Sequence, residues 1–476
     1  MEQHKIPLMD TLIKHSRKDP ISFHVPGHKY GGVWLDEARR PFDDILKLDV
    51  TELPELDDLH APEGVILEAQ SLLSDLYGTM NSYFLVGGST AGNLAMILST
   101  VSEGDIVLVQ RNAHKSVFNA IKLAKAVPVF IEPQFDNGAM VAGGLSHEAV
   151  LNAIKAYPAA KALLVTYPNY YGMVSNLSEI INSAHQHGMA VLVDEAHGVH
   201  FIAGSPFPPS AVSLGADVVV QSAHKTLPAM TMGAFLHYNS SRVARDRLEM
   251  YLQMLQSSSP SYPIMASLDA ARSFLGTVTK EELLELKKGI EYFRAETADI
   301  PGLMVLPQCG GDPLKMLIRS SFGYSGFELQ SILEEHGVFT ELADEMNVLL
   351  VLPFMKKGHR KFYERALQRL RKSQKGRREK LGSVEDVPLT ITNAGSLGTL
   401  ELGYRDMEMR GTRFIPLEQA NGAICAEMVI PYPPGIPLFI PGERISGEAI
   451  DRLKLHLGGK TQGGERLSEG QIKIFT

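Results

Sequence analysis

From residue 82 onward the chain alternates between short, continuously apolar runs and longer stretches of mixed polarity. The runs are SYFLVGG (82–88), DIVLVQ (105–110), VPVFIEP (127–133), ALLVTYP (162–168), AVLVDEA (190–196), DVVVQSA (217–223) and GAFLHYN (233–239). Each is rich in Val, Ile, Leu or Phe and is bounded by Gly, Pro, Asp or Asn. Unbroken rather than alternating apolarity predicts strands covered on both faces. Segments of helical length separate them, for example TAGNLAMILSTV (90–101) and LSEIINSAHQHG (177–188), the second closed by Gly188. Seven strands interleaved with helices predict a doubly wound α/β domain around a seven-stranded, mostly parallel sheet.

The rhythm changes from about residue 290. PLKMLIRS (313–320), VLLVLP (348–353) and AEMVIPYPPGIPLFIP (426–441) read as strands of a smaller α+β unit. The expected division is an arm and linker over 1–60, a large domain over 61–290 and a small domain over 291–476. Between the last two strands lies KKGHRKFYERALQRLRKSQKGRREK (356–380), with twelve Lys/Arg and two Glu. Phe362, Ala366 and Leu370, with Tyr363 and Leu367 beside them, predict an amphipathic helix packed on the small domain. A patch for nucleic acid or a partner is the alternative for its basic face.

Composition narrows the picture only modestly. The chain has 476 residues, 44% hydrophobic and 21% charged, with a formal net charge of -8, which gives no reason to expect nucleic acid or an acidic membrane. The two cysteines, Cys309 and Cys425, stand outside any CxxC pattern, so a disulfide framework is not expected and a reducing cytoplasm is. The charged N-terminus MEQHKIPLMDTLIKHSRKD lacks a signal-peptide apolar core, and no segment approaches the ~20 apolar residues of a spanning helix.

The candidate chemistry begins at VLVDEAHGVH (191–200). As a helicase signature, D-E-A-H requires a preceding P-loop; the only Gly-Lys-Thr is Gly459-Lys460-Thr461, far downstream, with Lys454 where the first glycine belongs. As a metal site, Asp194, His197 and His200, with His185 and His187 nearby, lack an HExxH or Cys/His framework. As a cofactor site, Asp194 emerges at the C-terminal end of a buried strand, where ligands of open α/β sheets bind. One strand later Ser222, His224 and Lys225 reach the same edge, and a lysine there is suited to capture a carbonyl. Upstream, LVGGSTAGN (85–93) turns from a strand through Gly87, Gly88, Ser89 and Thr90 into a helix, a setting for phosphate. Phosphate cradle, aspartate and lysine in that order point to pyridoxal 5′-phosphate.

The segments FHVPGHK (23–29), RNAHKS (111–116), VDEAHGVH (193–200), SAHKT (222–226) and PYPPGIPLFIPGE (431–443) together resemble the Orn/Lys/Arg decarboxylase family of fold type I pyridoxal-phosphate enzymes. The resemblance spans nearly the whole chain and is to the short form, without the extra N-terminal domain of the large inducible decarboxylases. It implies that Lys225 holds the cofactor, Asp194 pairs with its ring nitrogen, His114 stacks on one ring face and Ala196 lies against the other. Ser89, Thr90, Ser222 and His224 would bind phosphate with help from the Ala91 amide, and His197 would sit near the substrate carboxylate or the ring. No metal is expected.

The implied reaction is decarboxylation of arginine, lysine or ornithine to agmatine, cadaverine or putrescine. Another fold type I reaction, such as transamination or elimination, is the alternative. A desulfurase would need a mobile nucleophilic cysteine, for which Cys309 is the loop candidate. Asp57, Asp58, Glu341, Asp344 and Glu443 are candidate partners for the substrate's remote cation. TLPAMTMGAFLH (226–237) departs from the glycine-rich stretch that some arginine-decarboxylating relatives carry after the lysine. QSSSPSYPIMASLDAAR (256–272) resembles a family stretch that reaches the neighbouring subunit's cofactor, which implies a homodimer with sites at its interface, or a higher assembly.

Overall fold

A computed structural model describes residues 1–307, 310–380, 395–432, 437–455 and 460–476. Cys309, Gly459 and residues 433–436 of the PYPPGIP motif lie outside the described residues. The seven apolar runs form β1 (Asn81–Leu85), β2 (Ile106–Gln110), β3 (Val127–Ile131), β4 (Ala162–Thr166), β5 (Ala190–Asp194), β6 (Val218–Gln221) and β7 (Ala234–Tyr238). The chain divides into two compact units, one of Met1–Thr100 with Ala190–Thr279 and one of Val101–Met189 with Lys280–Thr476.

In the first unit the strand order is β1, β7, β6, β5. β5 and β6 are parallel, with Asp194 opposite Val220, whereas β7 runs antiparallel to both β6 and β1. β5, β6 and β7 are buried along their whole length, as continuous apolarity predicts. The helix Gly88–Thr100 packs closely on this sheet at Gly92. A methyl there would lie 2.6 Å from Leu85 Cδ1 and 2.8 Å from Val220 Cγ1. The N-terminal helix Pro7–Ser16 buries Leu8 and Leu12, and its entry is tied down by the fully buried Arg272–Asp269 pair, 2.6 Å apart. Arg272 also donates to the Gln3 carbonyl at 2.6 Å, and the Leu8 N–H donates to Asp269 at 3.0 Å.

In the second unit β4, β2 and β3 are parallel in that order, and Leu397–Thr399 adds an antiparallel edge to β3. The helix Leu177–Gln186 stops before Gly188, whose φ of +75° suits glycine. An antiparallel sheet of Leu303–Val305, Lys315–Ser320, Val348–Val351 and Leu342–Ala343 forms the smaller layer. Among the described residues of the long apolar stretch 426–441, Val429–Tyr432 forms a strand, paired with Lys460–Gly463. The basic segment contains the helix His359–Gln374. Its apolar stripe is shifted from the expected one: Tyr363, Leu367 and Leu370 are buried while Phe362 is exposed. The Tyr363 ring stacks on Phe293 at 4.7 Å, and Arg360, Arg371 and Arg377 pair with Glu364, Glu296 and Glu335. Among the described residues no helix is long and apolar enough to cross a membrane.

Candidate active site

The reactive groups of the first unit collect at the C-terminal ends of the parallel strands β5 and β6. Side chains alternate between sheet faces, so Asp194 and Glu195 point to opposite sides. Asp194 faces the helix Gly88–Thr100 and is 3% exposed. Asn93 Nδ2 donates to its Oδ2 at 2.8 Å, and the Ala196 N–H donates to Oδ1 at 3.1 Å. Two donors from different elements fix the plane of that carboxylate.

Lys225 lies in the short helix Ala223–Thr226 directly after β6, with its Nζ 2.9 Å from His197 Nε2. An amine and an imidazole at this distance share a proton readily. Ser222 is fully buried, and its Oγ is 2.8 Å from Ser89 Oγ in the first turn of Gly88–Thr100. His224 donates from Nδ1 to the Gly233 carbonyl at 3.0 Å, which sets the ring's orientation. Thr90 is exposed in the same first turn, and Ala91 and Ala196 are buried. The structure therefore brings Ser89, Thr90, Ala91, Asp194, Ala196, His197, Ser222, His224 and Lys225 into one unit. His114 belongs to the other unit. There it is exposed at the start of the helix Lys115–Ala124, with Nδ1 2.8 Å from Ser116 Oγ.

This donor set fits pyridoxal phosphate. A buried, doubly supported carboxylate suits a protonated ring nitrogen, and a half-buried amine beside an imidazole suits an aldehyde. Paired hydroxyls at the start of a helix suit a phosphate. Gly88 has φ +72°, and a Cβ built there meets nothing closer than 3.9 Å, so the backbone at that turn is open to approach. His200 Nδ1 is 3.1 Å from Thr226 Oγ1, and among the described residues no trio of His, Cys, Asp or Glu gathers.

The carboxylates proposed for the substrate cation have other engagements. Asp57 accepts N–H bonds from Asp58, Glu63, Gly64, Ile66 and Leu67, which pull its carboxyl below the usual range against the effect of burial. Asp58 accepts the His60 N–H. Asp344 is bonded by Asn347 and Tyr171, and Glu341 by the Tyr170 hydroxyl. Glu443 forms a two-pronged pair with partly buried Arg111 at 2.6 and 2.7 Å, and Glu132 lies 3.3 Å from the same guanidinium.

Sequence reasoning missed Asn93, although it lies four residues after Ser89, one helical turn along, and is 1% exposed. It also left Glu195 and Gln221 without a part. A polar residue inside an apolar helix or strand was the available signal.

Residues 6–301 match the family described as Orn/Lys/Arg decarboxylase, major domain, and residues 400–458 match its C-terminal domain. The chain is 47% identical to the uncharacterized protein YaaO of Bacillus subtilis, over 98% of each chain. It is 34% identical to the arginine decarboxylase of the same organism, over 100% of this chain and 99% of that one. Among solved structures, the lysine decarboxylase LdcF of Francisella novicida superposes with a TM-score of 0.82 at 19% identity, covering 98% of this chain and 80% of that one. The chain belongs to the Orn/Lys/Arg decarboxylase family, pyridoxal-phosphate-dependent enzymes of fold type I that remove the carboxyl group of a basic amino acid.

Proposed function

We propose that this enzyme acts on arginine and releases agmatine, with Lys225 as the cofactor-holding amine and Asp194 as the partner of the ring nitrogen. The observation that carries the assignment of roles is the convergence at two adjacent strand ends: Lys225 Nζ 2.9 Å from His197, and Asp194 buried against Asn93. Arginine is favoured because relatives at 33–35% identity over 93–100% of this chain bear the name arginine decarboxylase, whereas the lysine decarboxylases stand at 22%.

When bound, pyridoxal phosphate supplies the electron-accepting ring that takes up the bond pair left by carbon dioxide. The protein's own residues prepare that event. Asp194, held by Asn93 and Ala196, would keep a proton on the ring nitrogen. Ser89, Thr90, Ser222, His224 and the Ala91 amide would bind phosphate, and by the family resemblance Ala196 would lie against one ring face and His114 would stack on the other. His197, 2.9 Å from the Lys225 amine, would take up and return that amine's proton.

The sites belong to a homodimer. Supporting this, the stretch Ile21–Leu35 leaves Phe23 96% exposed and Ile21 84% exposed. Incubating protein and pyridoxal phosphate with arginine, lysine and ornithine separately, and scoring amines by mass, tests the substrate. Agmatine formed fastest is the expected result. Cadaverine or putrescine formed faster overturns arginine, and no amine from any of the three overturns the decarboxylase reading for this chain.

A further inference from the structure

Of the four residues of D-E-A-H, Glu195 alone has no part in the chemistry above, yet it is completely buried. Its carboxyl accepts three hydrogen bonds: from the Ala211 N–H at 2.8 Å, the Ser210 hydroxyl at 2.8 Å and Gln221 Nε2 at 2.6 Å. Gln221, the last residue of β6, offers its Oε1 to His237 Nε2 at 3.0 Å. His237 Nδ1 is 2.8 Å from Ser82 Oγ, which is 2.8 Å from Thr79 Oγ1. A ribbon of polar side chains thus crosses all four strands of this unit, on the face opposite Asp194. Tyr77 completes it, with its ring stacked on His237 at 4.0 Å and its hydroxyl donating to the Val199 carbonyl at 2.6 Å. Both ends therefore hold the loop Glu195–Val199, which carries Ala196 and His197.

Such a ribbon is poorly placed to add bulk stability, because apolar side chains of equal volume would fill a sheet face at lower desolvation cost. Its value lies in direction. Glu195 follows Asp194, and Gln221 precedes Ser222, so the 2.6 Å bond joins the two strand ends one residue from each half of the site. Rotation of either backbone would break that bond.

We propose that Glu195, Gln221 and His237 are positioning residues for the reaction, whose hydrogen-bonded ribbon keeps Asp194 and His197 in register with Ser222 and Lys225. The inference rests on the roles assigned above to Lys225 and Asp194. Loss of one anchor misplaces reacting groups by a fraction of an ångström, which lowers turnover more than substrate binding.

The test compares Glu195→Ala, Glu195→Gln and Gln221→Met as purified proteins, first without and then with pyridoxal phosphate. Glu195→Ala and Gln221→Met are expected to lower kcat by about 10- to 100-fold with KM within about threefold. Both should weaken cofactor affinity and shift the bound cofactor's absorbance maximum, while Glu195→Gln recovers most of each. Wild-type cofactor affinity, spectrum and kcat in both variants, whatever their melting temperatures, would overturn the proposal, as would a rise in KM alone. If Glu195→Ala does not fold, Gln221→Met and His237→Phe carry the same comparison. Lys225→Ala separates the two levels: if it still binds the cofactor covalently, the site assignment fails; if it does not and the ribbon variants behave as wild type, only this inference fails.

Discussion

Asp194 and Glu195 are neighbours in sequence with opposite surroundings. Asp194 is supported by an asparagine and an amide, while burial pushes the Glu195 carboxyl up to about 8 against three donors that pull it down. Across the ribbon, burial drives His237 down to about 3, and buried Tyr77 stands beside both. The signs give a stability window. A carboxyl raised when folded contributes stability that is full below its unfolded value of 4.5 and is lost as pH climbs towards 8. A histidine lowered when folded contributes stability above its unfolded value of 6.5 that is lost as pH falls towards 3. Glu195→Gln cannot titrate, so its melting temperature relative to wild type should rise steadily from pH 5 to pH 8. A constant offset across that range would show that Glu195 does not change charge there. At Lys225, replacement by Ala should remove the visible absorbance near ~420 nm expected of a lysine-bound pyridoxal phosphate; survival of the band would mean that another amine holds the cofactor.

The helix Gly88–Thr100 joins two duties, because it presents Ser89 at its start and Asn93 one turn later while lying close on β1 and β6. Gly92 permits that approach. Gly92→Ala places a methyl against Leu85 and Val220 and should destabilise the fold by about 1–3 kcal/mol. It should also weaken cofactor binding, since displacement of the helix carries Asn93 away from Asp194. Equal cofactor affinity in a folded Gly92→Ala protein would separate the packing from the site. The seven strands were legible in sequence because burial on both faces demands unbroken Val, Ile and Leu. The placement of Asp194 and Lys225 at adjacent strand ends was legible because charged residues ending such strands have few structural excuses. Asn93 and Gln221 were not, since their partners come from segments about 100 and 16 residues away and leave no local spacing. The basic helix was placed correctly but turned by a residue: Phe362 and Tyr363 are equally apolar on paper, and packing on Phe293 selects Tyr363. Arg111 was quoted only as part of a motif. Its bonds to Glu443 and to the carbonyls of Pro437 and Leu438 span more than 300 residues.

At the scale of the whole molecule, apolar surface left exposed among the described residues is a driving force for association. Ile21, Phe23, Val25, Val33 and Leu35 are 64–96% exposed within fifteen residues, and Met80 and Met254 of the same unit are 63% and 67% exposed. The exposed apolar groups of the other unit, such as Leu123, Phe339 and Met409, are scattered along its sequence. Isolated exposed side chains are ordinary, but a clustered run in water is costly at about 25 cal/mol per Å² and marks a contact surface. A second copy of the chain is the occupant that the 256–272 resemblance also points to. Light scattering of the purified enzyme at micromolar concentration should therefore give at least twice the 52.2 kDa chain mass. Phe23→Asp should shift the population towards monomer, because in the proposed homodimer it would place a charge where this exposed ring is covered, and activity should fall in proportion to the dimer lost. Full activity from a monomeric Phe23→Asp protein would show that each chain completes its own site and that this surface serves another purpose.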